Sequence, residues 1–226
     1  MTPRIAITRA LPEAERTGER VRALGGEPVL APLLTIVPCA YNTNVEGAQA
    51  LIFTSSNGVR AFPDVRRARD CIVLAVGEAT AEAARAAGFA DVRAGDGDVA
   101  SLAALAQRDF DPRGGKLIHI GGEHVASDLA GQLQTAGFSV ERRVAYSARA
   151  AIALPAAFSG PLDIVLFHSA RAAETFVSLG APGAGQLTAG CISAPVAAAA
   201  GKAPWRRIVV SPAPREDAFL AAALRG

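Results

Sequence analysis

Lysine, histidine, cysteine and the aromatic residues are all scarce in this chain of 226 residues, and each scarcity closes off a class of function. Two lysines, Lys116 and Lys202, stand against 21 arginines, which are scattered apart from small clusters at Arg66, Arg67 and Arg69, at Arg142-Arg143 and at Arg206-Arg207. With a formal net charge of +2 at pH 7, the chain has no basic stripe of the kind that tracks a phosphate backbone, so no nucleic-acid partner is expected. The arginine clusters read as solvated surface, with capture of a small anion as the rarer use. Cys39, Cys71 and Cys191 are odd in number, far apart and without CxxC spacing. That fits a reducing compartment and three small, partly buried apolar residues better than a disulfide framework. Neither the cysteines nor "GGEH" has metal-ligand spacing, so no metal is expected. No apolar run approaches the ~18 residues that cross a bilayer, so no membrane partner is expected. The chain opens on "PRIAIT" with no basic segment, apolar stretch or cleavage site. The expectation is therefore a cytoplasmic protein.

The usual catalytic signatures are missing as well. There is no GxxxxGK[ST] for nucleotide phosphates and no GxSxG nucleophile elbow. "GDGDVA" (95–100) formally fits GxGxxA, but its strand is not the first of its unit and no acid ends a strand some twenty residues on. Of the three histidines, His119 lies inside a predicted strand and reads as a core residue, while His124 and His168 lie near strand ends as candidate proton carriers. No cofactor is expected, and an enzyme built from these residues works by positioning and charge stabilisation.

What is present is core. Half the residues are hydrophobic and 19% are charged, so disorder is excluded. β-branched runs alternate with Ala/Leu/Arg helices. The predicted strands are 4–8, 28–37 with a break at Pro32, 50–54, 72–77, 91–94, 116–122, 139–146, 163–169, 190–194 and 207–211. The predicted helices are 12–24, 57–62, 78–87, 99–108, 123–136, 170–179, 195–200 and 215–224. Strand alternating with helix predicts an α/β protein with parallel sheets covered on both faces.

An internal echo divides the strands. "LIFTSSNGVRAF" (51–62) lies over "VLFHSARAAETF" (165–176) with Ser55 over Ser169, and "AVGEATA" (75–81) lies over "CISAPVA" (191–197). "SLAALA" (101–106) over "AFLAAALR" (218–225) and "LGGEPVLAPL" (24–33) with "AGFSVERRVAY" (136–146) are weaker echoes. Their order is circularly shifted. A contiguous domain over 38–146 has a counterpart made of 1–34 with 150–226, and 35–37 and 146–150 are hinge linkers beside a cleft. Generic α/β composition is the other reading of echoes this weak.

In open parallel sheets, ligands sit beyond the carboxyl ends of the strands. Those ends carry Thr8-Arg9, Thr54-Ser55-Ser56, Gly77-Glu78-Ala79-Thr80, Gly121-Gly122, Ser169-Ala170 and Ser193-Ala194. Small, hydroxylated and glycine residues there leave backbone N–H groups free at helix starts, with the positive end of the helix dipole behind them, which suits anions. Simple helix capping is the competing reading at each site. The same chemistry in both halves points to one ligand with several negative groups.

The ordered series "ITR" (7–9), "LIFTSSNGVRAF", "VGEATAEAARAAGF", "LIHIGGEHVASDLAGQLQTAGFSVERRVAY", "DIVLFHSARAAETF" and "VVSPAPREDAFLAAL" resembles the uroporphyrinogen-III synthase family over most of the chain. The resemblance implies two flavodoxin-like, doubly wound domains joined by a two-stranded linker. It implies a linear tetrapyrrole substrate, hydroxymethylbilane, with eight carboxylates held by main-chain N–H groups and small hydroxyls. The family closes that chain with inversion of ring D and loss of water. In the family pattern Tyr146 matches the tyrosine near the cleft and is the implied catalytic residue, competing with a plain role as linker anchor. Thr80 matches the threonine of the first "GxaTa", Ser55 and Ser169 match the strand-end serines, and Arg9 is placed to face a carboxylate. The second copy departs from the pattern, with Ser193 for glycine and Val196 for the threonine, so Val196 has no implied role. The implied protein is a monomer whose further contact is a transient one with the preceding pathway enzyme. Rival readings are a non-catalytic tetrapyrrole- or anion-binding regulatory module of the same fold, a periplasmic-type binding protein and a nucleotide-binding oxidoreductase.

Overall fold

The computed structural model describes residues 2–124 and 128–225. In chain order these form β1 (Arg4–Ile7), α1 (Glu13–Ala23), β2 (Glu27–Leu30), β3 (Leu34–Pro38), β4 (Ala48–Phe53) and α2 (Ser56–Arg60). There follow β5 (Ile72–Ala75), α3 (Glu78–Ala87), β6 (Val92–Ala94), α4 (Val99–Asp109), β7 (Lys116–Gly122), α5 (Leu129–Thr135) and β8 (Ser139–Ala150). The last third contains β9 (Ile164–Phe167), α6 (Ala170–Ser178), β10 (Thr188–Cys191), α7 (Ala194–Ala200), β11 (Arg207–Val210) and α8 (Glu216–Leu224). The helix expected over 123–136 is described only as α5, and 125–127 lie outside the described residues.

Two compact units result, one from Met1–Ile36 with Arg149–Gly226 and the other from Val37–Ala148. In the first, β11-β10-β9-β1-β2 form a five-stranded sheet whose printed pairs are all parallel. Read in chain order this is the 2-1-3-4-5 arrangement of flavodoxin-like folds. The second sheet runs β3-β8-β7-β4-β5-β6, with parallel pairing from β8 through to β6. Started from β9, the first unit has the same strand order as the second started from β4. The circular shift seen in the sequence echoes is thus a property of the topology.

Strands that are apolar at successive positions are buried on both faces. Val165 and Phe167 enter one core layer with Phe176, Ala189 and Cys191, while Ile164 and Leu166 enter the opposite layer with Ile5, Ile7, Phe219 and Leu220. The second unit repeats this, with Ala50, Ile52 and Leu74 facing one layer and Leu51, Phe53 and Val73 the other. Alternation with a period of two sends neighbours to opposite faces, and helices must then cover both.

The apolar run broken at Pro32 becomes two strands in two different sheets, β2 in the first and β3 in the second. Beside β3 lies β8, which continues to Ala150 instead of ending at 146. Cys39 N–H donates to Ala145 C=O at 2.8 Å and Ala151 N–H donates to Leu33 C=O at 2.9 Å, so the two strands run antiparallel. "SARA" (147–150) has no β-branched residue to suggest a strand, and main-chain pairing keeps it extended. Short 3-10 turns at 65–68, 156–159 and 184–186 had no periodic signal to reveal them.

Candidate functional site

In each unit the strand order reverses at one point, between β4 and β7 in the second and between β9 and β1 in the first. A crevice opens at the carboxyl end of such a pair. Thr54 and Ser55 follow β4, and Gly121-Gly122 end β7. Ser55 takes extended backbone angles and its Oγ accepts the Gly58 N–H at 3.4 Å, capping α2. The same Oγ lies 2.8 Å from the Tyr146 hydroxyl.

That second contact spans the sheet, because Tyr146 is on β8 and β7 lies between it and β4. Gly122 pairs with Tyr146 across the sheet. A Cβ on Gly122 would lie 2.8 Å from the ring atoms Cε2 and Cζ. The absence of a side chain at 122 is what lets the phenol reach across β7 to Ser55. The start of the loop beyond is held by β8. Arg142 donates to the carbonyls of Gly122 and Glu123 at 2.6 and 2.9 Å, and Glu123 N–H donates to Tyr146 C=O at 2.8 Å.

Thr54 is held by a residue that the sequence placed in the core. His119 is 2% exposed, and its Nε2 lies 3.2 Å from Thr54 Oγ1. Burial, with the Arg142 charge nearby, pushes the imidazole down to about 4. An unfolded chain binds that proton near the ordinary value of ~6.5. Stability from this site is therefore full at neutral pH and falls as pH drops from ~6.5 to ~4, by about 3 kcal/mol in all. His119→Phe is expected to flatten this part of the profile, read as the difference between variant and parent urea midpoints at pH 7.5 and pH 4.5. An unchanged difference between the two pH values would show that His119 does not titrate in this way.

The second strand end of this unit is different in character. Gly77 caps α3 with extended backbone angles, and its missing side chain lets the turn lie against Gly97, whose Cα would be 3.0 Å from a Cβ there. Glu78 and Ala79 are exposed, with Glu78 paired to Arg85, while Thr80 is 6% exposed. Ser56 opens α2 within 3.4 Å of Arg60 Nη2.

In the first unit the corresponding places are filled by the protein itself. Thr8 is fully buried and its hydroxyl donates to Leu166 C=O at 2.7 Å, stitching β1 to β9. Arg9 lies 3.3 Å from both Thr17 Oγ1 and Glu216 Oε2. Glu216, at the start of α8, also accepts from Thr17 at 2.6 Å and sits 3.1 Å from His168 Nε2. Burial works to raise this carboxyl, but His168, Thr17 and the Arg9 charge outweigh it and hold the group well below the usual carboxylate range. Burial pushes His168 down from its ordinary value while Glu216 pulls it up, and its Nε2–H donates to the Glu216 carboxylate. Ser169 caps α6 by accepting the Ala172 N–H at 3.2 Å, with half-buried Ala170 next to it. Ser193 starts α7 without a side-chain capping bond, and Ala194 is exposed. Val196 is 4% exposed, in the position that Thr80 occupies in the other unit. Both residues are almost fully buried, and Val196 packs in the core layer of its unit.

The structure thus gathers Thr54, Ser55, Gly121, Gly122 and Tyr146 at one switch point, engages Thr8 and Arg9 in contacts within their own unit, and leaves Thr80 only 6% exposed. His119, Thr17 and Glu216 are the polar residues that sequence reasoning missed. Gly121, on the same strand face as His119, was the available signal for the first of them. Among the described residues no helix is long and apolar enough to cross a membrane, and no group of three or more His, Cys, Asp and Glu could hold a metal ion.

The chain matches the family model for uroporphyrinogen-III synthase HemD over residues 15–221. Among solved structures it is similar to the uroporphyrinogen-III synthetase of Helicobacter pylori 26695, at 17% identity, 100% coverage of this chain, 99% of the other and a TM-score of 0.67. It is also similar to a mutant uroporphyrinogen III synthase from the extremely thermophilic bacterium Thermus thermophilus, at 19% identity, 99% and 98% coverage and a TM-score of 0.56. These structures share its fold. No curated relative matches the chain by sequence.

Proposed function

The chain belongs to the uroporphyrinogen-III synthase family, and from that premise we propose that its chemistry is organised by the strand ends of the Val37–Ala148 unit. The activity is that of the family, a cyclising lyase of tetrapyrrole biosynthesis that converts hydroxymethylbilane to uroporphyrinogen III with inversion of ring D and loss of water. Loss of the terminal hydroxyl leaves an azafulvene that a pyrrole carbon attacks, so no protein nucleophile is required. What the protein must supply is a donor to the departing hydroxyl and a fold of the chain that exposes the substituted carbon of ring D.

The observation that carries the proposal is the 2.8 Å contact between Tyr146 and Ser55 across Gly122. Ser55 Oγ accepts from the Gly58 N–H, so its own hydrogen is available to Tyr146. Either hydroxyl can donate in this contact, and in this reading Ser55 does, so that the phenolic hydrogen points outward. The chain Gly58 N–H, Ser55 O–H, Tyr146 O–H has all its donors in one direction, each polarising the next. Its end donates to the leaving hydroxyl, which departs as water. The neighbouring hydroxyl of Thr54 and the main-chain groups around Gly121-Gly122 take substrate carboxylates. Tenfold selectivity over spontaneous closure to the type I isomer needs only ~1.4 kcal/mol between competing barriers.

The protein acts in this reading as a monomer, and its three free cysteines favour a reducing compartment such as the cytoplasm. It takes a substrate that cyclises unaided, which favours direct, transient transfer from the enzyme that makes it. Titrating uroporphyrin III, the oxidised octacarboxylate product, into the 15N-labelled protein tests the location. Amide shifts centred on Ser55, Gly58, Gly121 and Gly122 are expected. Shifts centred on Arg9 and Ser193 would move the site to the other unit.

A further inference from the structure

His119 carries an atom that the fold leaves without a partner. Its Nδ1 is buried and makes no hydrogen bond, while its Nε2 faces Thr54 Oγ1 at 3.2 Å. The ring reaches this position because Gly121, two residues on and on the same face of β7, has no side chain. A Cβ there would lie 3.1 Å from Nε2. The imidazole therefore stands directly beneath the strand end, between the β4 and β7 termini.

A neutral imidazole has one N–H, and its location decides what Thr54 can do. If Nδ1 carried the hydrogen, a buried N–H would be orphaned, which folded proteins rarely tolerate. If Nε2 carries it, the hydrogen is spent on Thr54 Oγ1 and only a lone pair on Nδ1 goes unused. Double protonation is opposed by burial and by Arg142. With Nε2–H donating, Thr54 Oγ1 is already an acceptor on its inner side. Its own hydrogen cannot point back at the ring, and Thr54 is only half-buried.

We propose that His119 is a positioning residue whose Nε2–H orients the Thr54 hydroxyl outward as a donor to one carboxylate of the substrate. The inference rests on the reading of this strand end as the carboxylate-binding site, and it explains a buried polar residue that core packing does not require. Ser55 is set by its contact with Tyr146 and Thr54 by its contact with His119, so two adjacent strands, β8 and β7, each fix one hydroxyl. The role is binding, not bond-breaking, because the carboxylate contact is the same before and during the reaction.

Two measurements separate this from a structural role. In protein labelled with 15N histidine, the His119 ring, assigned by its loss in His119→Phe, is expected to show the Nε2–H tautomer with Nδ1 unprotonated. Finding Nδ1 protonated overturns the proposal whatever the activity. In steady-state assays His119→Phe and Thr54→Val are each expected to raise KM for hydroxymethylbilane about tenfold with kcat little changed, as loss of a hydrogen bond to a charged group does. His119→Gln, which keeps an N–H donor, should recover most of that loss. Gly121→Ala should reproduce it by pressing the ring away from Thr54 without altering either partner. If His119→Phe and Gly121→Ala keep the parent KM while remaining folded by near-UV circular dichroism, the proposal is wrong. A parent protein that makes no type III isomer would instead refute the functional reading, and the tautomer would still be readable.

Discussion

Tyr146→Phe will lower the rate of uroporphyrinogen III formation about 100-fold, the lower end of what loss of a positioned proton donor costs. Phenylalanine keeps the ring that packs against Gly122 and removes only the hydroxyl that meets Ser55. The stability cost should therefore be small, about 1 kcal/mol for one hydrogen bond. The effect should fall on kcat and on kcat/KM together, because the donor is needed where the hydroxyl leaves. The product ratio should shift toward type I as the spontaneous reaction overtakes the slowed enzyme. Ser55→Ala supplies the comparison. It leaves the phenol in place without the hydroxyl that polarises it, so its defect should have the same signature and a smaller size. If Tyr146→Phe retained the parent kcat, the tyrosine would be a packing residue and departure of water would be assisted from elsewhere.

Glu216→Ala will destabilise the protein by about 3 kcal/mol, the lower part of the range for breaking a buried ion pair, since its side chain is still 17% exposed. The carboxylate is the shared partner of Arg9, Thr17 and His168, and removing it takes one acceptor from each. Glu216→Gln should cost less, because an amide oxygen still accepts one of these bonds. The pH dependence has a definite sign. The folded carboxyl is held below its unfolded value, so its stabilisation is complete above the unfolded pKa of ~4.3 and is lost as pH falls toward the folded one. Urea midpoints of parent and Glu216→Gln should accordingly converge as pH is lowered from 6 to 3. Parallel curves over that range would show that the carboxylate is not preferentially ionised in the folded state.

The cluster around Glu216 also makes the two halves of the molecule unequal. The same strand order produces a switch point in each unit, yet in one the ends of β9 and β1 are engaged by the protein's own carboxylate. In the other, Thr54, Ser55 and Tyr146 remain half-buried, and no carboxylate among the described residues is hydrogen-bonded to their hydroxyls. The departures at Ser193 and Val196 fall in the unit whose switch point is filled in this way. This inequality is what supports the proposal that carboxylate binding is concentrated in the Val37–Ala148 unit.

How far the sequence carried this picture depends on the range of the interactions involved. The β7 run "LIHIGG" and the α3 helix 78–87 were legible because pattern and caps lie within a few residues. The tail of β8 was not, because only pairing with β3, more than a hundred residues earlier, keeps "SARA" extended. Glu216 was invisible for the same reason, since Thr17, its nearest partner at 2.6 Å, is 199 residues away. His119 looked like core in a strand that is apolar at successive positions, and its burial was read well. Its bond to Thr54 depends on Gly121 being empty space, which a pattern of hydrophobicity does not register. Val196 has no implied role because it replaces the family threonine, and Thr80 in the equivalent position is itself only 6% exposed.

The most direct measurement is the isomer composition of the product. Hydroxymethylbilane generated in the same vessel is cyclised with the purified protein, the product is oxidised, and type I and type III uroporphyrin are separated by chromatography. The account predicts type III in large excess, at a rate proportional to the protein added. Type I alone, formed at the rate seen without protein, would contradict it and leave a tetrapyrrole- or anion-binding module of the same fold.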